Sequence, residues 1–205
     1  MNAPCCDDDL LSGPSSSRAA RELGVRGFMT LWRGERRPIT ELTTDVRMSK
    51  ALSAGGRLEI DDDGFLVGVH GLVARTTTHR IEHAGGTVHT WCALDAIGIP
   101  AALLLDATAI TACPCCGVEL RVPVRAGDPS AEPDVRLWLP SGPCSHLVED
   151  FCRHANLYCS TTHLTSVVPR DQPGQAIDVA AAAAIGRATW RDVAALGQDL
   201  TRERS

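Results

Sequence analysis

The sequence predicts an α+β fold, with a small N-terminal helical, winged-helix-like module packed on a mixed-strand core with flanking helices. Three observations lead there. Apolar residues recur at helical spacing near both ends of the chain, and the middle consists of short alternating runs divided by Gly, Pro and Asp turns. The 205 residues, 44% of them hydrophobic, suffice for one cored domain and a small appended module.

Residues 1–17 are polar, with Asp7-Asp8-Asp9 and Gly13-Pro14-Ser15-Ser16-Ser17, and read as a disordered tail. They hold neither a basic n-region nor an apolar h-region, so the expected location is the cytoplasm. From Arg18 to Trp32, the residues Ala20, Leu23, Phe28, Leu31 and Trp32 mark a helix behind a serine-rich start. Ile39-Thr40-Glu41-Leu42 and Val46 to Leu52 read as short helices. Leu58 and Ile60, then Phe65, Val67 and Val69, alternate around the Asp61-Asp62-Asp63-Gly64 turn as a β-hairpin. Residues 18–70 thus outline a shortened winged-helix-like module, and 71–205 the core.

Within the core, Ile81 and Val88 flank Gly85-Gly86 as a second hairpin, and a helix runs from Trp91 to Ile99, stopping before Pro100. Thr108–Ala112, Val118–Val124, Val135–Leu139 and Asn156–Ser160 read as short strands. An Ala-rich helix follows from Ile177 to Leu200, with a break expected near Gly186.

A net charge of −5 and a pI of 5.8 lack the basic footprint of a nucleic-acid binder. The would-be recognition segment, Asp45 to Ala54, carries only Arg47 and Lys50, so the module reads as a packing element. The longest apolar run, Ile97 to Leu105, is nine residues and too short to cross a bilayer. Motifs for phosphate binding, zincin chemistry and serine hydrolysis are missing.

Nine cysteines stand out beside three Phe, one Tyr and three Met, and in a reducing compartment they should be ligand-like thiols. In Trp91-Cys92-Ala93-Leu94-Asp95, a helix would put Cys92 and Asp95 on adjoining positions of one face. By spacing alone, a buried Cys and a solvated Asp on an ordinary amphipathic helix is the favoured account, because such pairs are common. In Asp150-Phe151-Cys152-Arg153-His154, a basic neighbour would lower the Cys152 pKa, whereas a Cys after an aromatic is commonly core. Cys113-Pro114-Cys115-Cys116-Gly117 has the C-x-x-C spacing of a zinc knuckle between Cys113 and Cys116. Its only approximate second pair is Cys144 with His146, so it reads as half a site. No spacing assigns a role to Cys5, Cys6 or Cys159, and His79, His83 and His89 on the second hairpin read as surface imidazoles.

The run Trp91-Cys92-Ala93-Leu94-Asp95, then Pro100-Ala101, the Cys113-Pro114 turn ending in Gly117, and Phe151-Cys152 together resemble the alkylmercury (organomercurial) lyases of bacterial mercury resistance. The resemblance covers roughly residues 35 to 200, and its most specific part is the W-C-A-L-D run joined to F-C. It implies a catalytic core that cleaves carbon–mercury bonds by protonolysis, giving a hydrocarbon and Hg(II). It also implies that Cys92 and Cys152 are the catalytic thiols that hold the metal and that Asp95 is the proton shuttle beside them. Softness explains the ligand choice, since thiolates are the preferred donors for a polarisable metal. An aspartate of ordinary pKa, about 3.9, is a poor proton carrier at neutral pH, so burial beside thiols should raise its pKa or let it relay a thiol proton.

The resemblance further implies no bound organic cofactor and a need for reduced cysteines and exogenous thiols. Hg(II) is the expected bound product, handed off to soluble thiols or a mercuric reductase. Four departures stand out. The segment between Thr40 and Gly56 is short for the family, and Cys115 and Cys116 are additional, making Cys113 and Cys116 a candidate side site for Hg or Zn. Arg153 stands where some members have a further cysteine, and Cys159 where a small residue is common. Two other readings stay open at this level: a soft-metal (Hg, Cu or Zn) binding protein without catalysis, and a metal-responsive winged-helix regulator.

Overall fold

The computed structural model describes residues 18–195. The tail at 1–17, with Cys5 and Cys6, and the expected helix beyond residue 195 lie outside the described residues.

Three helices open the described chain: α1 (Arg18–Trp32), α2 (Ile39–Leu42) and α3 (Val46–Ala54). Strands β1 (Leu58–Ile60), β2 (Leu66–Val69), β3 (Leu72–Val73), β4 (Arg80–His83) and β5 (Gly86–Thr90) lead to helix α4 (Ala93–Ala102). Then come β6 (Ala107–Ala112), β7 (Glu119–Arg125), β8 (Asp128–Pro129) and β9 (Arg136–Pro140). A π-type turn at Leu147–Cys152 precedes β10 (Leu157–Tyr158), α5 (Thr161–Val167), β11 (Gly174–Ile177) and α6 (Val179–Thr189).

The strands form an eight-stranded sheet in the order β1-β2-β3-β5-β4-β6-β7-β8 and a three-stranded sheet in the order β10-β9-β11. Every pairing is antiparallel. The predicted α+β class holds. The eight-stranded sheet runs without a break from β2 through β3, across residue 70.

Local chemistry explains the boundaries. Asp61 Oδ1 accepts the backbone N–H groups of Asp63 and Phe65 and closes the first hairpin, with Gly64 at φ +82°. Asp45, Ser160 and Asp178 cap α3, α5 and α6 by accepting backbone N–H groups from the first turn. Gly24 and Gly27 bring α1 close to the sheet: a Cβ on Gly27 would lie 2.9 Å from Val69, and one on Gly24 would run into the His70 ring.

All ten residues of α4 are buried, as expected of a helix that is apolar on every side. It lies between the eight-stranded sheet and α6. Two sequence expectations change here. The helix runs through Pro100 to Ala102, because Pro100 falls in the last turn, where its missing N–H costs one hydrogen bond in a helix clamped on both sides. The final helix does not break at Gly186. It is continuous to Thr189 and interrupted at Trp190, where the indole Nε1–H donates to the His70 carbonyl at 2.9 Å. Gly186 is instead where α6 meets Gly98 of α4.

Candidate functional site

The W-C-A-L-D run folds as a helix start. Cys92 is extended (φ −148°, ψ 175°) and is the N-cap of α4, and Asp95 is the third helical residue. The Cys92 sulfur accepts the Asp95 backbone N–H, and Asp95 Oδ2 accepts the Cys92 backbone N–H at 2.9 Å. This is a capping box in which Cys replaces the usual Ser or Thr and Asp replaces Glu. The expected pairing of Cys92 with Asp95 is met, although by the cap and not by neighbouring positions inside a helix.

Cys152 reaches the same place from the far side of the sequence. It ends the π-type turn, and the Ala93 N–H donates to the Ala155 carbonyl at 3.1 Å, tying the segment after Cys152 to the start of α4. Two further bonds fix the strand before the cap. The Trp91 N–H donates to the Gly71 carbonyl at 2.9 Å, and Thr90 Oγ1 donates to the Cys92 carbonyl at 3.1 Å. The donor atoms of Cys92, Asp95 and Cys152 all lie within 4.8 Å of one another, and the three residues are 0%, 5% and 3% exposed. Charge in such a place is costly.

Burial dominates the electrostatics. It pushes the Asp95 carboxyl up to about 7, against the lowering pull of the hydrogen bonds from Cys92 and the Trp91 backbone. The Cys92 thiol rises well above its ordinary value, first through burial and then through its hydrogen bond with Cys152 and the nearby Asp95 charge. The resting site therefore keeps protons available around neutral pH.

A cavity of about 360 Å³ opens onto Asp95 and Cys152. Leu23, Leu52, Trp91, Leu147 and Ile185 give it a largely apolar wall, drawn from α1, α3, α6 and the π-type turn. An apolar vestibule ending in the Cys152 thiol and a protonatable carboxyl, with the fully buried Cys92 thiol behind them, has the chemistry to suit a hydrophobic group attached to a soft centre.

Gly71 is the close neighbour of the carboxylate. Its φ is +85°, and a Cβ there would stand 2.8 Å from both Asp95 Cγ and Oδ1. Gly71→Ala is expected to displace Asp95 and lower any turnover by roughly 10²-fold, the cost of about an ångström of misplacement. Steady-state rates beside a melting curve check this, and unchanged turnover in a folded variant would refute it.

The raised Asp95 pKa also sets a stability slope. The folded state holds the proton from about 3.8 up to about 7 while the unfolded chain has lost it, so this group's contribution is full below 3.8 and is lost as pH rises through 7. Asp95→Asn removes that loss. The melting temperature of the variant relative to wild type should climb between pH 5 and pH 7 and level off above, at about 1.4 kcal/mol for each unit of pKa difference. A flat difference across that range would contradict the burial argument.

The knuckle expectation is met in part. Cys113 and Cys116 do come together, but their companions are Cys159 and His163, not Cys144 and His146. The His146 ring instead accepts the Glu149 N–H at the start of the π-type turn and packs against Gly56. The sequence held the missing half as a C-x₃-H spacing, Cys159 to His163, which a search for a second C-x-x-C passes over. The three histidines read as surface imidazoles have different surroundings. His79 is buried with Nδ1 2.6 Å from Thr111 Oγ1, contrary to the surface reading; it stands just before β4, two residues from the fully buried Ile81. His83 stacks on Trp32, and His89 accepts the Thr77 N–H. Among the described residues, no helix is long and apolar enough to cross a membrane.

Residues 72–191 match the family described as alkylmercury lyase (MerB). Curated relatives carry the same description. An alkylmercury lyase of Streptomyces lividans is 31% identical over 125 residues, 59% of this chain and 57% of that protein. One of Pseudomonas putida is 28% identical over 129 residues, 56% of this chain and 55% of that protein. The chain thus matches somewhat more than half the length of these relatives. Among solved structures, the mercury-bound form of MerB2 superposes with a TM-score of 0.80 over 90% of this chain and 97% of that one, at 17% identity, a likeness of fold.

Proposed function

The chain belongs to the alkylmercury lyase family, and from that premise we propose that it cleaves the carbon–mercury bond of organomercury compounds by protonolysis, using Cys92, Cys152 and Asp95. The observation that carries the reading is the buried trio itself: a thiol and a carboxyl locked by one capping box, facing a second thiol at the end of an apolar cavity.

The substrate enters as an adduct of the organomercury cation with a small thiol, its organic group along the apolar wall. One protein sulfur displaces the small thiol, which leaves with that cysteine's proton. The second sulfur then binds mercury, and its proton passes to Asp95 and on to the carbon. The carbon–mercury bond breaks as the carbon–hydrogen bond forms. The balance is one adduct and two cysteine thiols giving one hydrocarbon, one small thiol and one Hg(II) held by two thiolates. Burial favours the protonation step, since a dry site stabilises the neutral acid that donates and excludes competing water, while the thiols, held neutral at rest, give up their protons as mercury binds. Soluble thiols or a mercuric reductase then remove Hg(II) and restore the resting site.

The test is turnover of phenylmercury and methylmercury with excess small thiol, following benzene and methane. Catalytic release of either hydrocarbon is the expected result. Stoichiometric Hg(II) binding with no hydrocarbon from either substrate would overturn the lyase reading in favour of a soft-metal carrier.

A further inference from the structure

We propose that Cys113, Cys116, Cys159 and His163 form a second metal centre, separate from the Cys92, Asp95 and Cys152 trio, that holds one structural Zn(II). The four donor atoms lie within 4.8 Å of one another. Cys116 Sγ to Cys159 Sγ is 3.8 Å, and Cys113 Sγ to His163 Nδ1 is also 3.8 Å. A tetrahedron with Zn–S of about 2.3 Å and Zn–N of about 2.0 Å has edges of roughly 3.5–3.8 Å. Two of the cage's edges are therefore already at the spacing zinc requires. A third edge, Cys159 Sγ to His163 Nδ1, is shorter at 2.9 Å, the distance of a direct thiol–imidazole hydrogen bond that a metal would replace.

The chain builds the cage from two places. Cys113 follows β6 and opens a tight turn in which the Gly117 N–H donates to the Cys113 carbonyl at 2.8 Å, with Gly117 at φ +73°. Backbone N–H groups of Cys115, Cys116 and Cys159 face the Cys113 sulfur, as amides do around a metal-bound thiolate. Cys159 follows β10, and His163 sits in the first turn of α5, where Ser160 caps the helix by accepting the His163 N–H at 3.1 Å. The pattern C-x₂-C…C-x₃-H is that of closed structural zinc sites.

What the site joins gives it a purpose. It links the β6–β7 turn of the large sheet to β10 and α5 beside the small sheet. The apolar cluster beneath it has only four buried members, Cys113, Trp138, Tyr158 and Leu164, separate from the main core. So small a core gains much from a metal clip. Four donors including an imidazole suit tetrahedral zinc, whereas Hg(II) favours two thiolates in line. Cys115 is exposed, with its sulfur 3.4 Å from Ser166 Oγ, and stands outside the cage.

The experiment is metal content of the full chain, purified reduced and without chelator. One zinc per chain is expected in wild type, in Cys115→Ser and in the Cys92→Ser/Cys152→Ser double variant, and at least a tenfold loss in Cys116→Ser and His163→Ala. Because a ligand variant could misfold, Co(II) is titrated into wild type stripped of metal with a chelator, where intense tetrahedral thiolate–cobalt absorption is expected. A reduced wild-type chain that takes up neither zinc nor cobalt, or only Hg(II), overturns the proposal. So does zinc that follows Cys92 and Cys152. The outcome is independent of hydrocarbon release, so the centre and the lyase reading stand or fall separately.

Discussion

Asp95→Asn is expected to cut hydrocarbon release by at least 10²-fold, the usual contribution of a positioned acid, while Hg(II) still binds one per chain. Asparagine retains an oxygen where Asp95 Oδ2 accepts the Cys92 N–H, so the start of α4 should persist and only the transferable proton is removed. Asp95→Ala loses the same proton and half the capping box as well, at about 0.5–2 kcal/mol of stability, and so should be equally inactive but less stable. Cys92→Ser is the sharper companion. Serine is a better N-cap than cysteine, so the box at Cys92 and Asp95 survives or improves while the soft donor disappears. Cys152→Ser, at the end of the π-type turn, likewise removes a sulfur with little change in volume. Both serine variants should melt near wild type and release no hydrocarbon. If Asp95→Asn turns over at the wild-type rate, protonation does not pass through that carboxyl, and the proton reaches the carbon from the second thiol by another route.

The sequence makes this site legible to different depths. Cys92 and Asp95 are close in the chain, so any helical or helix-start geometry keeps them together, and only their identity as N-cap and third residue needs coordinates. Cys152 is another matter. It is 60 residues from Cys92, and its approach depends on a six-residue π-type turn and on the Ala93 to Ala155 hydrogen bond, neither of which leaves a periodicity. The resemblance to a family, not spacing, points to it. Secondary structure follows the same division. The helix at Arg18–Trp32 and both hairpins carry local signals and form where expected. Strands β3, β8 and β11 are two to four residues long and exist because the sheets supply partners. Pro100 misleads for the same reason, since tertiary clamping outweighs a local breaker. Cys159 and His163 show the opposite failure: the spacing is plain, but only the pairing of β10 with β9 and the start of α5 bring it opposite Cys113.

Gly186→Ala is expected to be the most disruptive single-methyl change in the molecule. Helices α4 and α6 cross so closely that a Cβ on Gly186 would lie 2.2 Å from Gly98 Cα and 2.6 Å from its carbonyl oxygen. Both obstacles are backbone, so no rotamer relieves them and the helices must part. Overpacking of this kind costs about 1–3 kcal/mol, a sizeable share of a domain's stability. Gly98→Ala should behave alike, since its Cβ would meet Gly186 Cα at 2.9 Å and the Trp190 ring at 2.6 Å. The consequence reaches the chemistry, because α4 begins at Cys92 and α6 supplies Ile185 to the cavity wall. Parting the two helices moves the capped trio relative to the space in which substrate lies, so turnover should fall beyond what the lost folded fraction explains. Gly55→Ala is the control. Its φ is −84° and its nearest neighbour would be an ordinary 3.5 Å away, so it should be neutral or stabilising by up to about 1 kcal/mol through the unfolded chain. Denaturant melts of the three variants, with activity measured well below each midpoint, decide the matter: equal stability of Gly186→Ala and Gly55→Ala would mean that α4 and α6 are not in backbone contact.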